Sequence, residues 1–176
     1  MEKKYILTEE AKEVGGHILH RIQAMRDFGG VQKGDLGGWV ESEENLSHDG
    51  DCWIFDNGRV SDNGWVFGDG KVFGNGEVYD NGWVFGDGWV FGNAKIGFNA
   101  YISSPRSYFV QGPIGSRNDF LTCYLDKDKK IYAVTGCFCG SIEVFVKKVK
   151  AVHGMNRWAK QYLKAAEMAR VMLSGD

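Results

Sequence analysis

The sequence predicts a mainly-β solenoid, and two regularities carry that prediction. Between Cys52 and Ser103 a branched apolar residue stands at every sixth position: Ile54, Val60, Val66, Val72, Val78, Val84, Val90, Ile96 and Ile102. Two places before each of them is a small residue: Cys52, Gly58, Gly64, Gly70, Gly76, Gly82, Gly88, Ala94 and Ala100. A short, fixed period marks one small unit stacked on copies of itself.

Within a unit such as Gly64-Trp65-Val66-Phe67 the side chains of a strand alternate, so Gly64 and Val66 point inward while Trp65 and Phe67 point outward. Between strands come Asp-Asn-Gly, Gly-Asp-Gly and Gly-Asn-Gly corners, with Asn57, Asn63, Asp69, Asn75, Asn81, Asp87, Asn93 and Asn99 as the residues expected to take a left-handed backbone. Three strands and three corners close one triangular turn.

This pattern resembles the hexapeptide-repeat family, which implies a left-handed parallel β-helix with about eighteen residues per coil. Residues eighteen apart then stack, and the outward positions sort onto three faces. One carries Trp53, Phe55, Lys71, Phe73, Trp89 and Phe91; another carries Trp65, Phe67, Trp83, Phe85, Tyr101 and Ser103. The third is polar, with Arg59, Ser61, Glu77, Tyr79, Lys95 and Gly97. Aromatic strips of this extent are expected to be covered by flanking segments or by other copies of the chain. The resemblance implies a homo-oligomer, with a trimer as the first expectation.

Composition agrees with a folded chain: 43% of the 176 residues are apolar, and the 25 glycines fall mostly in the repeat. The formal net charge of −2 hides an asymmetry. Residues 1–50 hold six Lys/Arg against ten Asp/Glu, residues 51–103 three against seven, and residues 104–176 twelve against six. Nucleic acid fits poorly, because the solenoid is acidic and only the tail is basic. There is no apolar run of signal-peptide or membrane-spanning length, so the expectation is a cytoplasmic protein that binds no membrane. In that compartment Cys52, Cys123, Cys137 and Cys139 are expected as thiols. Cys123, Cys137, Cys139 and His153 are also the residue types of a zinc site, but a Cys-x-Cys departs from the usual Cys-x-x-Cys spacing, and the cysteines are read as ordinary small residues with no metal.

The flanks divide the chain into a cap over 1–50, the coils over 51–103 and a basic α+β module over 104–176. In the cap, Tyr5–Thr8 and His17–Met25 are strand-like, with Gly15-Gly16 as a turn between them or as the end of a short helical Glu9–Val14. Residues 28–48 are read as an irregular lead into the coils, and His17, His20 and His48 as structural or surface histidines. In the tail, Tyr108–Val110 is a candidate strand, Gly112–Asp119 a loop, and Phe120–Leu125 with Ile131–Thr135 a hairpin. Ile142, Phe145, Val149 and Val152 then share a helical face, capped by Ser141 and ended by Gly154. A second helix runs from Asn156 or Arg157 to Leu173.

The stretches Gly34–Trp39, Glu44–His48, Gly112–Asp119 and His153–Asn156 together resemble β-helix proteins encoded by phages and prophages. That resemblance implies a phage protein acting inside a bacterial host and brings no chemistry with it. The chemistry rests on Gly112-Pro113-Ile114-Gly115-Ser116-Arg117-Asn118-Asp119. Glycines let backbone amides approach an anion, hydroxyl and amide donors suit phosphate oxygens, and an arginine grips them in a fork. Arg117 and Ser116 are the first candidates, with Gly112, Gly115, Asn118, Arg106, Ser107, His153 and Asn156 beside them. An alternative role for Arg117 is a pair with Asp119 or another nearby carboxylate.

Three functions follow. The first is a non-enzymatic binder of an anionic, nucleotide-like molecule, needing no cofactor, which the phage resemblance extends to sequestration of a host immune signal. The second is an acyltransferase, implied by the hexapeptide-repeat resemblance; with no histidine in Cys52–Ser103, its general base would be His48 or His153. The third is a structural module docking on a host protein.

Overall fold

The computed structural model describes residues 3–174. It forms two compact units, residues 1–105 and residues 106–176.

In the first unit the six-residue period becomes nine two-residue strands: β4 (Trp53–Ile54), β5 (Arg59–Val60), β6 (Trp65–Val66), β7 (Lys71–Val72), β8 (Glu77–Val78), β9 (Trp83–Val84), β10 (Trp89–Val90), β11 (Lys95–Ile96) and β12 (Tyr101–Ile102). They pair in parallel with the register expected of a β-helix: Trp53 with Lys71 and Lys71 with Trp89, Arg59 with Glu77 and Glu77 with Lys95, Trp65 with Trp83 and Trp83 with Tyr101. The first residue of each strand from β4 to β9 donates its amide to the next coil, as Trp65 N does to Gly82 O at 2.9 Å. All nine branched residues are at most 1% exposed. Each such burial is worth about 1.5–3 kcal/mol relative to exposure.

The left-handed corner residues stand one place earlier than the sequence suggests. Asp56, Asp62, Gly68, Gly74, Asp80, Gly86, Gly92 and Phe98 have positive φ, not the Asn or Asp that follows. The reason is visible in the ladders. The following asparagines keep an ordinary backbone and bond side chain to side chain across coils, Asn63 to Asn81 and Asn75 to Asn93, each at 3.3 Å. The left-handed aspartates instead accept an amide from the coil above, as Asp62 does from Asp80 N at 3.4 Å and Asp80 from Phe98 N at 3.4 Å. Phe98, with φ of +43°, is the one bulky residue in this set and is strained there. Phe98→Asn is expected to stabilise the first unit by about 1 kcal/mol in a denaturant titration; a loss of stability would mean that the ring's contacts outweigh the strain.

The cap is more regular than expected. Residues Glu9–Val14 are strand, not helix: β1 (Tyr5–Val14) and β2 (His17–Ala24) form a hairpin around Gly15-Gly16. β3 (Leu36–Val40) pairs antiparallel with β2 and parallel with β5, so the hairpin continues the polar face as a six-stranded sheet, β1-β2-β3-β5-β8-β11. The coil thus begins at β3, inside the stretch read as irregular, and Leu46 bridges to Val66 on another face. Cap rings cover Trp53, which is 1% exposed, with Phe28 at 5.3 Å and Tyr5 at 6.2 Å. Trp65, Trp83, Trp89, Phe91 and Tyr101 remain 36–47% exposed in this chain, packed chiefly on one another.

The second unit is a four-stranded antiparallel sheet with two helices on it. β13 (Tyr108–Ile114) and β14 (Asp119–Leu125) make a hairpin, so the glycine-rich segment is mostly strand with only Gly115–Asn118 as its tip. β15 (Ile131–Thr135) follows, then β16 (Phe138–Ser141), which the sequence does not announce. Ser141 caps α1 (Ile142–His153) by accepting from Val144 N at 3.4 Å, and Gly154 at φ of +56° ends it. Ile142, Phe145 and Val149 are buried against the sheet, whereas Val152 is 67% exposed, because the helix face turns away from the core by its last turn. α2 (Arg157–Leu173) adds Ala159, Tyr162, Ala166 and Ala169 to the same core. Among the described residues no helix is long and apolar enough to cross a membrane.

Candidate functional sites

Each unit holds one constellation with chemical potential. In the second unit a cleft of about 300 Å³ opens between the two hairpin turns and the helices. The β13–β14 tip supplies Ser116 and Arg117, the β15–β16 turn Gly136, Cys137 and Phe138, α1 Phe145, Lys148, Val149 and His153, and α2 Tyr162. The tip is held over it by two contacts. Gly115 N donates to Gln161 Oε1 at 2.8 Å, and Gly115 lies so close to the Tyr162 ring that no Cβ would fit; its φ of +75° excludes most side chains anyway.

Arg117 extends across the β15–β16 turn with Nη1 at 3.9 Å from Cys137 Sγ. No carboxylate lies in ion-pair range of it among the described residues; Asp119, whose Oδ1 accepts from the amide of Phe120 at 2.7 Å, has its Oδ2 near the same Gly136 turn. Lys148 Nζ stands 5.3 Å from the Phe138 ring centroid, and the His153 ring is 6.0 Å from that of Tyr162. The lining therefore has two fixed cations, one histidine, three aromatic rings and no acid.

Of the nine residues singled out by sequence, Ser116, Arg117 and His153 line this cleft. The others have different work. Asn156 Oδ1 caps α2, accepting from Trp158 N at 2.9 Å and Ala159 N at 3.0 Å. Gly112 lies in β13 against the Phe120 ring, Asn118 is a turn residue at φ of +54°, and Gly115 seats the tip on Tyr162. Ser107 is buried, with its carbonyl accepting from Leu125 N at 3.1 Å, and neither it nor Arg106 lines the cleft. Lys148 is one of several basic residues that the helices add beside the glycine-rich segment, and Tyr162 and Phe138 read alone as core rings; nothing in the sequence marks that the three share one cleft. The zinc grouping is not assembled: Cys123 is buried in the core, where desolvation pushes its thiol up to about 12, while Cys137 and Cys139 are exposed.

In the first unit, His17, Glu41 and Asp62 converge at the edge of the polar face. His17 Nδ1 is 3.0 Å from Glu41 Oε1, and Nε2 is 3.7 Å from Asp62 Oδ1. Each carboxylate is itself oriented by a backbone amide, Glu41 Oε2 by Asp62 N at 2.7 Å and Asp62 Oδ2 by Asp80 N at 3.4 Å. The hydrogen bond to Glu41, with the charges of Asp62 and Glu41, raises the His17 pKa above its ordinary value despite some desolvation. Glu41 is lowered, first by the Asp62 amide and then by His17. A raised histidine stabilises the fold below its unfolded value and loses that contribution as pH rises through the folded one; a lowered carboxylate does the reverse. The pair therefore contributes in full between pH 4.5 and 6.5, the two ordinary values, and fades on either side. The stability of the wild type relative to His17→Gln is expected to peak in that window in urea titrations; a difference that is flat with pH would remove the ion pair from the account.

His48 is differently placed. Its ring stacks on Tyr5 at 4.3 Å, and Nδ1 accepts from the Lys4 amide at 3.2 Å. With Nδ1 occupied as acceptor, the neutral ring carries its proton on Nε2, which faces Glu43 Oε2 at 3.8 Å. No lone pair is left to act as a base.

No family model matches the chain. Among curated proteins, it is 33% identical over 72 residues to the uncharacterized acetyltransferase YdcK of Escherichia coli K12. The likeness covers 36% of this chain, which spans about a fifth of that relative's length, 22%. The coils and this likeness together fit a β-helix family.

Proposed function

We propose that the protein is an acyltransferase of the hexapeptide-repeat type, with His17 as its general base. The observation that carries the reading is the likeness to a protein described as an acetyltransferase. The geometry supplies a base to go with it. Nδ1–H of His17 donates to Glu41, which fixes the tautomer and leaves the Nε2 lone pair outward beside Asp62. An acceptor hydroxyl or amine attacks the thioester carbonyl while Nε2 takes its proton; the new ester or amide C–O or C–N bond forms, the C–S bond breaks, and the imidazolium returns the proton to the departing thiolate. Asp62 stabilises the imidazolium in between.

Thiol release from acetyl-CoA, followed with a panel of small hydroxyl and amine acceptors, tests this. His17→Gln is expected to slow release by about 10²- to 10⁴-fold, and the wild-type rate to rise with pH through the raised pKa of His17. No thioester consumption, or equal rates in the variant, would reject the reading. The exposed Trp65, Trp83 and Tyr101 are then the surface of a homo-oligomer, a trimer in this family, whose mass sedimentation reads directly. A second reading, capture of an anionic nucleotide-like molecule without turnover, draws on the second unit's cleft, where no carboxylate orients His153 among the described residues.

A further inference from the structure

We propose that the cleft of the second unit is a binding site for a nucleoside mono- or diphosphate, independent of any acyl transfer at the coils. A site is inferred because two cations from separate elements flank one cleft. Arg117, although exposed, lies along the β15–β16 turn and over that cleft instead of standing away from the surface. The turn makes room for it: Gly136, at φ of +54°, has no Cβ, and one placed there would stand 3.1 Å from Arg117 Nη1. Lys148 approaches the opening from α1, a separate element, so two cations from two directions flank a space that holds no acid. That arrangement repels cations and acidic groups do not fill it from within.

The phosphate and the ring of the ligand follow from different walls. Arg117 offers a planar fork that matches two phosphate oxygens, Lys148 a point charge, and Ser116 a hydroxyl donor. The remaining wall is apolar: the half-buried Phe138 ring faces the cleft, backed by Phe145 and Tyr162, which are packed in the core behind it at 5.4 Å from Phe138 to Phe145 and 5.7 Å from Phe145 to Tyr162 between centroids. Inorganic phosphate would leave that wall unused, and a neutral aromatic molecule would leave the cations unused. The space of about 300 Å³ is at the small end for ligand sites, which selects one nucleoside unit over a dinucleotide or a longer cofactor.

The test uses the full chain and calorimetric titration with the four common ribonucleoside monophosphates and diphosphates, with adenosine and inorganic phosphate as the two halves of the ligand. At least one nucleotide is expected to bind more tightly than either half. Arg117→Ala is expected to weaken it about tenfold or more, and Arg117→Lys to restore part of the loss. Lys148→Ala is expected to weaken the diphosphate more than the monophosphate. Both residues are exposed, so far-ultraviolet circular dichroism and the melting curve of each variant should match the wild type. Binding of none of the nucleotides, binding of phosphate as tightly as of the nucleotides, or affinity unchanged in Arg117→Ala would each overturn the proposal. His17→Gln should leave this affinity unchanged, so failure here and failure of the acyl-transfer reading are separate results.

Discussion

Gly88→Ala is expected to cost the first unit about 2–4 kcal/mol of stability, far more than a methyl group on a surface turn would. A Cβ at residue 88 would meet Ile102 O closer than 3.0 Å and Phe85 O at 2.8 Å. Neither oxygen is free to move. Ile102 O accepts from Phe85 N at 3.0 Å, and Phe85 O from Gly88 N at 2.8 Å, so displacing either one opens a hydrogen bond that closes the coil on its neighbour. Gly76 is the control. A Cβ there would meet Val72 and Val90 methyl carbons at 3.1 Å and Phe73 O at 3.2 Å, distances a small rotation can relieve. Alanine also reduces the freedom of the unfolded chain, a gain of about 0.4–1 kcal/mol. Gly76→Ala should therefore stay within about 1 kcal/mol of wild type. Urea titrations of the two variants compare them directly, and equal costs would mean that side-chain volume inside the coil, not the fixed carbonyl, sets the demand for glycine.

The same contrast accounts for two of the three departures from glycine. Ala94 and Ala100 take the small position in the last coil, where no further strand of the solenoid supplies a carbonyl to strike, whereas Cys52 in the first coil is not explained this way. That part of the fold was legible because its constraint is local and recurs: one residue must be small, one must be branched, and six positions later the demand returns. The corners were less legible. Asp, Asn and Gly all tolerate a left-handed backbone, so composition marks the corner but not which of its residues turns, and the ladder bonds between coils decide that.

The cap was legible only in part, its Gly15-Gly16 turn but not the full length of β1, for a related reason. β1 is an edge strand, its second half mostly exposed and its register shifted between Leu7 and Ala11, so it shows no alternation of apolar and polar residues. The cleft divides similarly. Arg117 stood out from its glycine-rich neighbourhood, but Lys148 and Tyr162 join it only through the packing of two helices on a sheet. The His17 site was invisible in sequence, since its three members lie 24 and 21 residues apart on separate elements.

Lys4→Met is expected to be the other large loss, about 2–4 kcal/mol, while Lys3→Met next to it costs about 0–1 kcal/mol. Lys4 is fully buried, an unusual place for an ammonium group. It is held there by the end of the coil: Nζ donates to Cys52 O at 3.0 Å, Gly50 O at 3.3 Å and Asp49 O at 3.4 Å, and stands 5.0 Å from the Phe28 ring centroid. An open β-helix end leaves backbone carbonyls without donors, and a single lysine with three N–H groups satisfies three of them at once. Cys52 Sγ lies 3.1 Å from the same nitrogen, yet desolvation still raises that thiol's pKa. Methionine matches the length and fills the space but leaves the buried Cys52 carbonyl without its donor and takes away the bonds to the part-buried Gly50 and Asp49 carbonyls. Among the described residues Lys3 pairs with Glu43 alone, in an exposed contact at 2.6 Å, which water replaces at little cost. Denaturant titration of the two variants sets them side by side. If Lys4→Met costs no more than Lys3→Met, the carbonyls at the coil end find water instead, and the buried ammonium is not what closes the solenoid.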